Sequence, residues 1–270
     1  MKTKKITTIC IAIAFVLSGV NARAQFGDLL QKAKNKAAQK ASDMMDQKKN
    51  DAPPEEAGQK KTRAVINSVF DFAAGDSVLV NENFSSVAVG ASPHTIKTNG
   101  AGDVVTVNGE NGKWLALEAS ATYRLSKQYF YPRHFTLEFD LLASADKIND
   151  MSPVFFGFTN DNSAKEYLTG SGEYVSLLYY NNNQITVANQ NGKYLTTNYD
   201  LTPYANRVMH VSIMVDGERM VAYLDKTKIA DTQLFLPSDT KNFFLSAPFK
   251  YNNGAKLLFS NLRIATFKKS

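Results

Sequence analysis

After a short basic start, the spacing of apolar side chains changes twice along the chain, and each change predicts a different element. The clearest stretch is residues 135–141. There Phe135, Leu137, Phe139 and Leu141 alternate with Thr136, Glu138 and Asp140. Successive side chains of a strand point to opposite faces, so this stretch predicts a strand with one dry side and one polar side. Comparable runs predict strands at 77–80, 104–107, 113–118, 154–158, 174–180, 184–188, 208–215, 220–224, 243–246 and 256–267. Between them stand Asn99-Gly100, Asn108-Gly109, Asn111-Gly112, Asn191-Gly192, Asp216-Gly217 and Asn253-Gly254, dipeptides that accept the positive backbone angles of tight hairpins. Many short strands, punctuated this way and with no helical stretch between them, predict an all-β jelly-roll sandwich of two antiparallel sheets over 64–270.

Upstream the period lengthens to three and four. Phe26, Leu29, Leu30, Ala33, Ala37, Ala41, Met44 and Met45 mark one amphipathic helix within 25–50. Ala33, Ala37 and Ala41 form a ridge of small side chains, so the expected role is a solvated neck, with self-association through 26–49 as the sharper alternative. Residues 51–63 are charged and carry Pro53 and Pro54, and are read as a linker that ends the helix. Residues 1–24 have a different character. Lys2, Lys4 and Lys5 precede an uncharged, mostly apolar run at 6–20, and Ala22-Arg23-Ala24 follows. This is the layout of a signal peptide cleaved before Gln25. The run is short of the ~20 residues that span a bilayer, and no later stretch suggests a transmembrane segment. Export is therefore expected, to the periplasm, the outer membrane or the extracellular space.

Charge narrows the class of function. The chain as a whole is basic, at +6, but residues 64–270 hold 18 Lys/Arg against 19 Asp/Glu. A nucleic-acid binder is expected to carry a basic face, so that class is set aside. The single cysteine, Cys10, lies in the leader, so the sandwich must be held by its core alone. His94, His134 and His210 are scattered; neither a metal site nor a cofactor is expected. Asn160-Asp161-Asn162-Ser163 and Asn181-Asn182-Asn183 offer the oxygen atoms calcium uses, but such clusters read first as loops.

Two passages resemble the concanavalin A-like, laminin G-like sandwich superfamily. One is Met209-His210-Val211-Ser212-Ile213-Met214-Val215-Asp216-Gly217, running into Met220-Val221-Ala222-Tyr223-Leu224-Asp225 and Lys228-Ile229-Ala230. The other is the closing Phe259-Ser260-Asn261-Leu262-Arg263-Ile264-Ala265. Asn83-Phe84-Ser85, Thr98-Asn99-Gly100, Lys113-Trp114-Leu115 and the helical start at 26–36 further resemble Bacteroidetes proteins of the outer-membrane protein A family. In that family such a sandwich precedes a peptidoglycan-binding domain. The resemblance stops short of that domain, and Ile96 stands where such sequences often show Trp. It implies an envelope-associated sandwich.

Some sandwiches of this superfamily are glucanases bearing Glu-x-Asp-x-x-Glu. Here Glu138 and Asp140 match, but Ala143 occupies the third position. A retaining glycosidase needs two carboxyl groups ~5 Å apart, and the incomplete motif argues against an enzyme. Sugar binding is the sharper expectation. Trp114 shares the polar-side register with Glu138 and Asp140, and together with Tyr179 these are the candidate ligand-binding residues. The expected function is a non-catalytic module binding glycan or another cell-envelope component. The alternatives are a structural or protein-interaction module without a small ligand and, last, a degenerate glycoside hydrolase.

Overall fold

The computed structural model describes residues 69–268, apart from Asn182. The leader, the neck helix and the linker expected over 1–63 lie outside the described residues. In chain order the strands are β1 (Ser77–Glu82), β2 (Ile96–Thr98), β3 (Gly102–Val105), β4 (Trp114–Leu117), β5 (Thr122–Leu125), β6 (His134–Ser144), β7 (Val154–Thr159) and β8 (Glu173–Leu177). They continue with β9 (Gln184–Asn189), β10 (Tyr194–Asn198), β11 (Val208–Asp216), β12 (Arg219–Leu224), β13 (Thr227–Gln233), β14 (Asn242–Ser246) and β15 (Lys256–Thr266). Sheet A runs β13-β12-β11-β6-β15-β4-β3, with β1 added against β15; sheet B runs β10-β9-β8-β7-β14-β5-β2. All ladder pairings are antiparallel, so the all-β sandwich is observed.

The core follows from alternation. β6 points Phe135, Leu137, Phe139, Leu141 and Ala143 inward, and β7 answers with Val154, Phe156 and Phe158; all belong to one buried cluster. Phe139 lies at its centre, with ring centroids 5.2 Å from Phe156, 5.7 Å from Phe243 and 5.6 Å from Phe259. Burying one such ring is worth roughly 1.5–3 kcal/mol, so the cluster accounts for stability without a disulfide. Ala143 is on the core side, 2 % exposed, opposite Glu138 and Asp140. A carboxylate at position 143 would therefore face away from the other two.

Two irregularities shape the outer faces. A bulge shifts the β15–β6 register between Ser260 and Arg263, with Asn261 at φ 54°. The extra residue re-aims the strand, so that Arg263 comes out on the same face as Glu138. On β7, Gly157 sits where a Cβ would lie 2.0 Å from the Glu173 carbonyl oxygen. β7 and β8 approach so closely there that no side chain fits.

The hairpin at Asn253-Gly254 has both residues at positive φ, 52° and 75°, as its sequence predicts. The strand expected at 174–180 ends at Leu177, because Tyr179–Asn181 turns as a 3-10 helix. β2, β5 and β10 were not expected; of β13, only the Lys228-Ile229-Ala230 return was noted.

Candidate functional site

The outer face of sheet A carries three of the four candidate residues. Across the strands the register sets His210 beside Asp140 and Ser212 beside Glu138 on β11 and β6, and Arg263 beside Glu138 on β15. The charges satisfy one another. His210 Nδ1 lies 2.6 Å from Asp140 Oδ1, and its Nε2 lies 3.7 Å from Glu138 Oε2. Arg263 Nη1 donates to Glu138 Oε1 at 2.9 Å, and Asn261 Nδ2 donates to Asp140 Oδ2 at 2.7 Å. The hydrogen bond to Asp140, followed by the nearby Glu138 carboxylate, pushes the His210 imidazole up to about 9, so it is a cation at neutral pH. His210, followed by Arg263, holds the Glu138 carboxyl below its ordinary range. Both carboxylates are thus engaged by neighbouring side chains.

Part of the same face is covered by the chain's own approach to β1. The Phe70 and Phe72 rings pack edge-on to Tyr223, at 5.4 and 5.8 Å. Asp71 accepts from the Tyr223 hydroxyl at 2.6 Å and from Lys228 Nζ at 2.9 Å. Gly75 N donates to Thr136 Oγ1, and Arg263 Nη2 donates to the Gly75 carbonyl at 2.7 Å.

Trp114 does lie on this face, as alternation requires, but it is 2 % exposed in an apolar cluster with Leu142 and Leu258. Its indole N–H has no partner among the described residues. Tyr179 is 1 % exposed and belongs to the main core between the sheets. The expected aromatic platform is thus corrected. Glu138 and Asp140 come together and Trp114 shares their face, Tyr179 does not join them, and neither ring offers an open face on which a sugar could stack.

The outer face of sheet B is built differently. Phe155, Gly157 and Thr159 of β7 point outward, because Val154, Phe156 and Phe158 fill the core. Next to them stand Tyr174 and Ser176 of β8, then Thr186 of β9 and Thr196 of β10, paired in register. Phe155 and Tyr174 are half-buried with ring centroids 5.9 Å apart. Ser176 is buried, whereas Thr186 is half-buried and Thr196 exposed; partly exposed rings and open hydroxyls on one face are groups a sugar uses.

The other half of this face lies under the connection between β7 and β8, residues 160–172. Leu168 N donates to Thr122 Oγ1 at 2.9 Å, Tyr167 Oη to the Ala247 carbonyl at 2.8 Å, and Asn162 Nδ2 to the Leu125 carbonyl at 3.3 Å. Asp161 Oδ1 accepts from Ser163 N at 2.9 Å, a turn bond within 160–163.

Beneath this connection β5 places Arg124, 2 % exposed, with its guanidinium carbon 5.7 Å from the centre of the Phe244 ring. One nitrogen, Nη2, donates to Thr159 Oγ1 at 2.8 Å; that hydroxyl in turn donates to the Asp161 carbonyl at 2.7 Å. Nε and Nη1 are closed off from solvent and have no acceptor among the described residues. Burial pulls the guanidinium below its ordinary value, and only the charge of Asp161 opposes this. Arg124, Thr159, Asp161, Lys165 and Glu166 line a cleft of about 270 Å³. Sequence reasoning missed Arg124. The one available signal was a buried-strand rhythm in Ala121-Thr122-Tyr123-Arg124-Leu125.

A further uncompensated group lies at the start of β8. Glu173 faces inward opposite Phe158, is 2 % exposed, and has no partner for Oε1 among the described residues. Burial, then the charge of Asp239, pushes its carboxyl up to about 7.

The class this defines is an all-β, two-sheet sandwich with one outer face whose central charges are paired within the chain and the other polar and partly covered by a loop. No family model and no curated protein matches the chain. Among solved structures it is similar to a sialidase at 13% identity and TM-score 0.47, covering 72% of this chain and 19% of that one. It is also similar to the botulinum neurotoxin serotype D ligand binding domain in complex with N-acetylneuraminic acid, at 14% identity and TM-score 0.48, covering 75% of this chain and 49% of that one. The binding domain of botulinum neurotoxin DC in complex with SialylT gives 10% identity and TM-score 0.48, covering 72% and 49%. The chain therefore spans about half the length of these toxin domains and about a fifth of the sialidase. At these identities no residue's role is carried across.

Proposed function

We propose that this chain is an exported, non-catalytic module that binds a glycan of the cell envelope through the outer face of sheet B. The observation that carries this reading is the half-buried Phe155–Tyr174 pair on the same face as the hydroxyls of Thr186 and Thr196. Rings of this kind hold the apolar face of a sugar, while neighbouring hydroxyls take its hydrogen bonds. On the opposite face the acids Glu138 and Asp140 are engaged with His210, Arg263 and Asn261, which supports binding over glycoside hydrolysis.

The test is retention of the full chain on a broad array of bacterial and host glycans. The expected result is a restricted set of retained glycans, with signal reduced at least tenfold in Phe155→Ala/Tyr174→Ala, the order of magnitude for losing one aromatic contact. An array with no retained glycan, or retention unchanged in the double variant, overturns the reading. The exported part of the proposal rests on the leader sequence. Sequencing the N-terminus of the protein recovered from envelope fractions is expected to begin at Gln25.

A further inference from the structure

Resting on that reading, we propose that the cleft under residues 160–168 is an anion subsite, in which Arg124 holds an acidic substituent, a carboxylate or a sulfate, on the bound glycan. A guanidinium is the side chain least able to shed its charge, and burying it without a counter-ion is costly. Native proteins leave few buried donors unmatched. Here Nε and Nη1 are both closed off and without an acceptor among the described residues, while Nη2 spends one bond on a neutral hydroxyl.

The nearby charges define what is missing. Asp161 is the acid whose charge acts on Arg124, but its Oδ1 accepts from Ser163 N and its carbonyl from Thr159 Oγ1. Lys97 pairs directly with Arg124 across β2 and β5, which adds a second cation to the same row. Lys165 on the loop adds a third at the cleft, against Glu166. An oxyanion entering the cleft would complete the coordination that Thr159 begins, and it would do so where the local dielectric is low and such bonds are strongest. The covering residues must lift for it to enter. They are held to sheet B by single hydrogen bonds involving Asn162, Tyr167, Thr122 and Thr159, with Asn160 tied to Asn242 where the loop begins. Asp161 is then the built-in competitor, which partly offsets the charge of Arg124 while the cleft is empty.

The probes are glucuronic acid, glucose 6-sulfate and glucose, titrated calorimetrically into the full chain. One or both acidic sugars are expected to bind at least tenfold more tightly than glucose, since a hydrogen bond to a charged group is worth about 1.5–3 kcal/mol. The tighter of the two identifies the substituent. Arg124→Gln is expected to remove that preference. Because Arg124 is buried and its variant could misfold, Asp161→Asn, on the exposed loop, supplies the second arm, and tighter binding of the acidic sugar by severalfold is expected. No preference for either acidic sugar over glucose, or no gain in Asp161→Asn, overturns the subsite. Neutral glycans retained on the array with Phe155 and Tyr174 required, but with Arg124 and Asp161 irrelevant, would leave the binding reading standing and remove this inference alone.

Discussion

The two outer faces of the sandwich each carry a buried or half-buried arginine on a strand, and the two arginines are treated in opposite ways. On sheet A, Arg263 donates to Glu138 and to the Gly75 carbonyl, and the neighbouring His210 is shared by Glu138 and Asp140. Every charge there has an answer within the chain. On sheet B, Arg124 is more deeply buried, and two of its three nitrogens have no acceptor among the described residues. The difference teaches which polar residues serve the fold. A network that closes on itself specifies the packing of β1, β6, β11 and β15, whereas a cation left open beneath a loop points outward, to something the chain does not supply.

The sharpest way to break this comparison is to make the same substitution on both faces. Arg263→Met strands Glu138 and is expected to destabilise the protein by about 2 kcal/mol in denaturant unfolding, below the full value for a buried pair because the site is part-exposed. Arg124→Met removes a buried charge that has no ion pair among the described residues. It is expected to be neutral or stabilising, by about 1–4 kcal/mol. Equal destabilisation by both would mean that Arg124 is as well compensated as Arg263.

An effect confined to part of the pH range is expected at Glu173. Its folded-state pKa of about 7 lies above the ordinary value, so the contribution of this group is most favourable below about 4.5 and is lost as pH rises through 7. At pH 8 Glu173→Gln is expected to gain up to about 3 kcal/mol, and at pH 4 almost nothing. A variant equally stabilising at both pH values would contradict the burial of the charged form.

The smallest effect belongs to His210. Its pKa is raised to about 9, so its contribution is fully present below about 6.5 and is lost as pH rises through 9. The ring is 42% exposed, and solvent screening limits this contribution to about 1 kcal/mol. His210→Asn is expected to flatten the pH dependence of unfolding between 6.5 and 9, and an unchanged slope would remove His210 from the network.

The sequence makes sheet A easier to read than sheet B. The alternation in β6 assigns both faces of its strand correctly, and it puts Trp114, Glu138 and Asp140 on one side. What it could not record is who covers that side. The ring of Trp114 is enclosed with Leu142 and Leu258, and the acids meet His210 and Arg263 from strands 70 and 125 residues away in sequence. Tyr179 follows β8, a strand of sheet B, and its ring turns into the core between the sheets. On sheet B, β5 has four residues, all buried. Its arginine reads as a surface residue because the loop that buries it arrives from 160–172, far along the chain. The half-exposed Phe155 and Tyr174 stood within strands that were expected, but nothing local distinguishes them from core aromatics.

The central claim is that sheet B, and not sheet A, is the face that meets the ligand. Arginine side-chain NMR reads both faces in one sample, through the Nε–H signals of Arg124 and Arg263 in the full chain. On titration with a polyuronate, the Arg124 signal is expected to shift saturably while that of Arg263 stays in place. A shift confined to Arg263, or no shift at Arg124 at saturating polyuronate, would contradict the account.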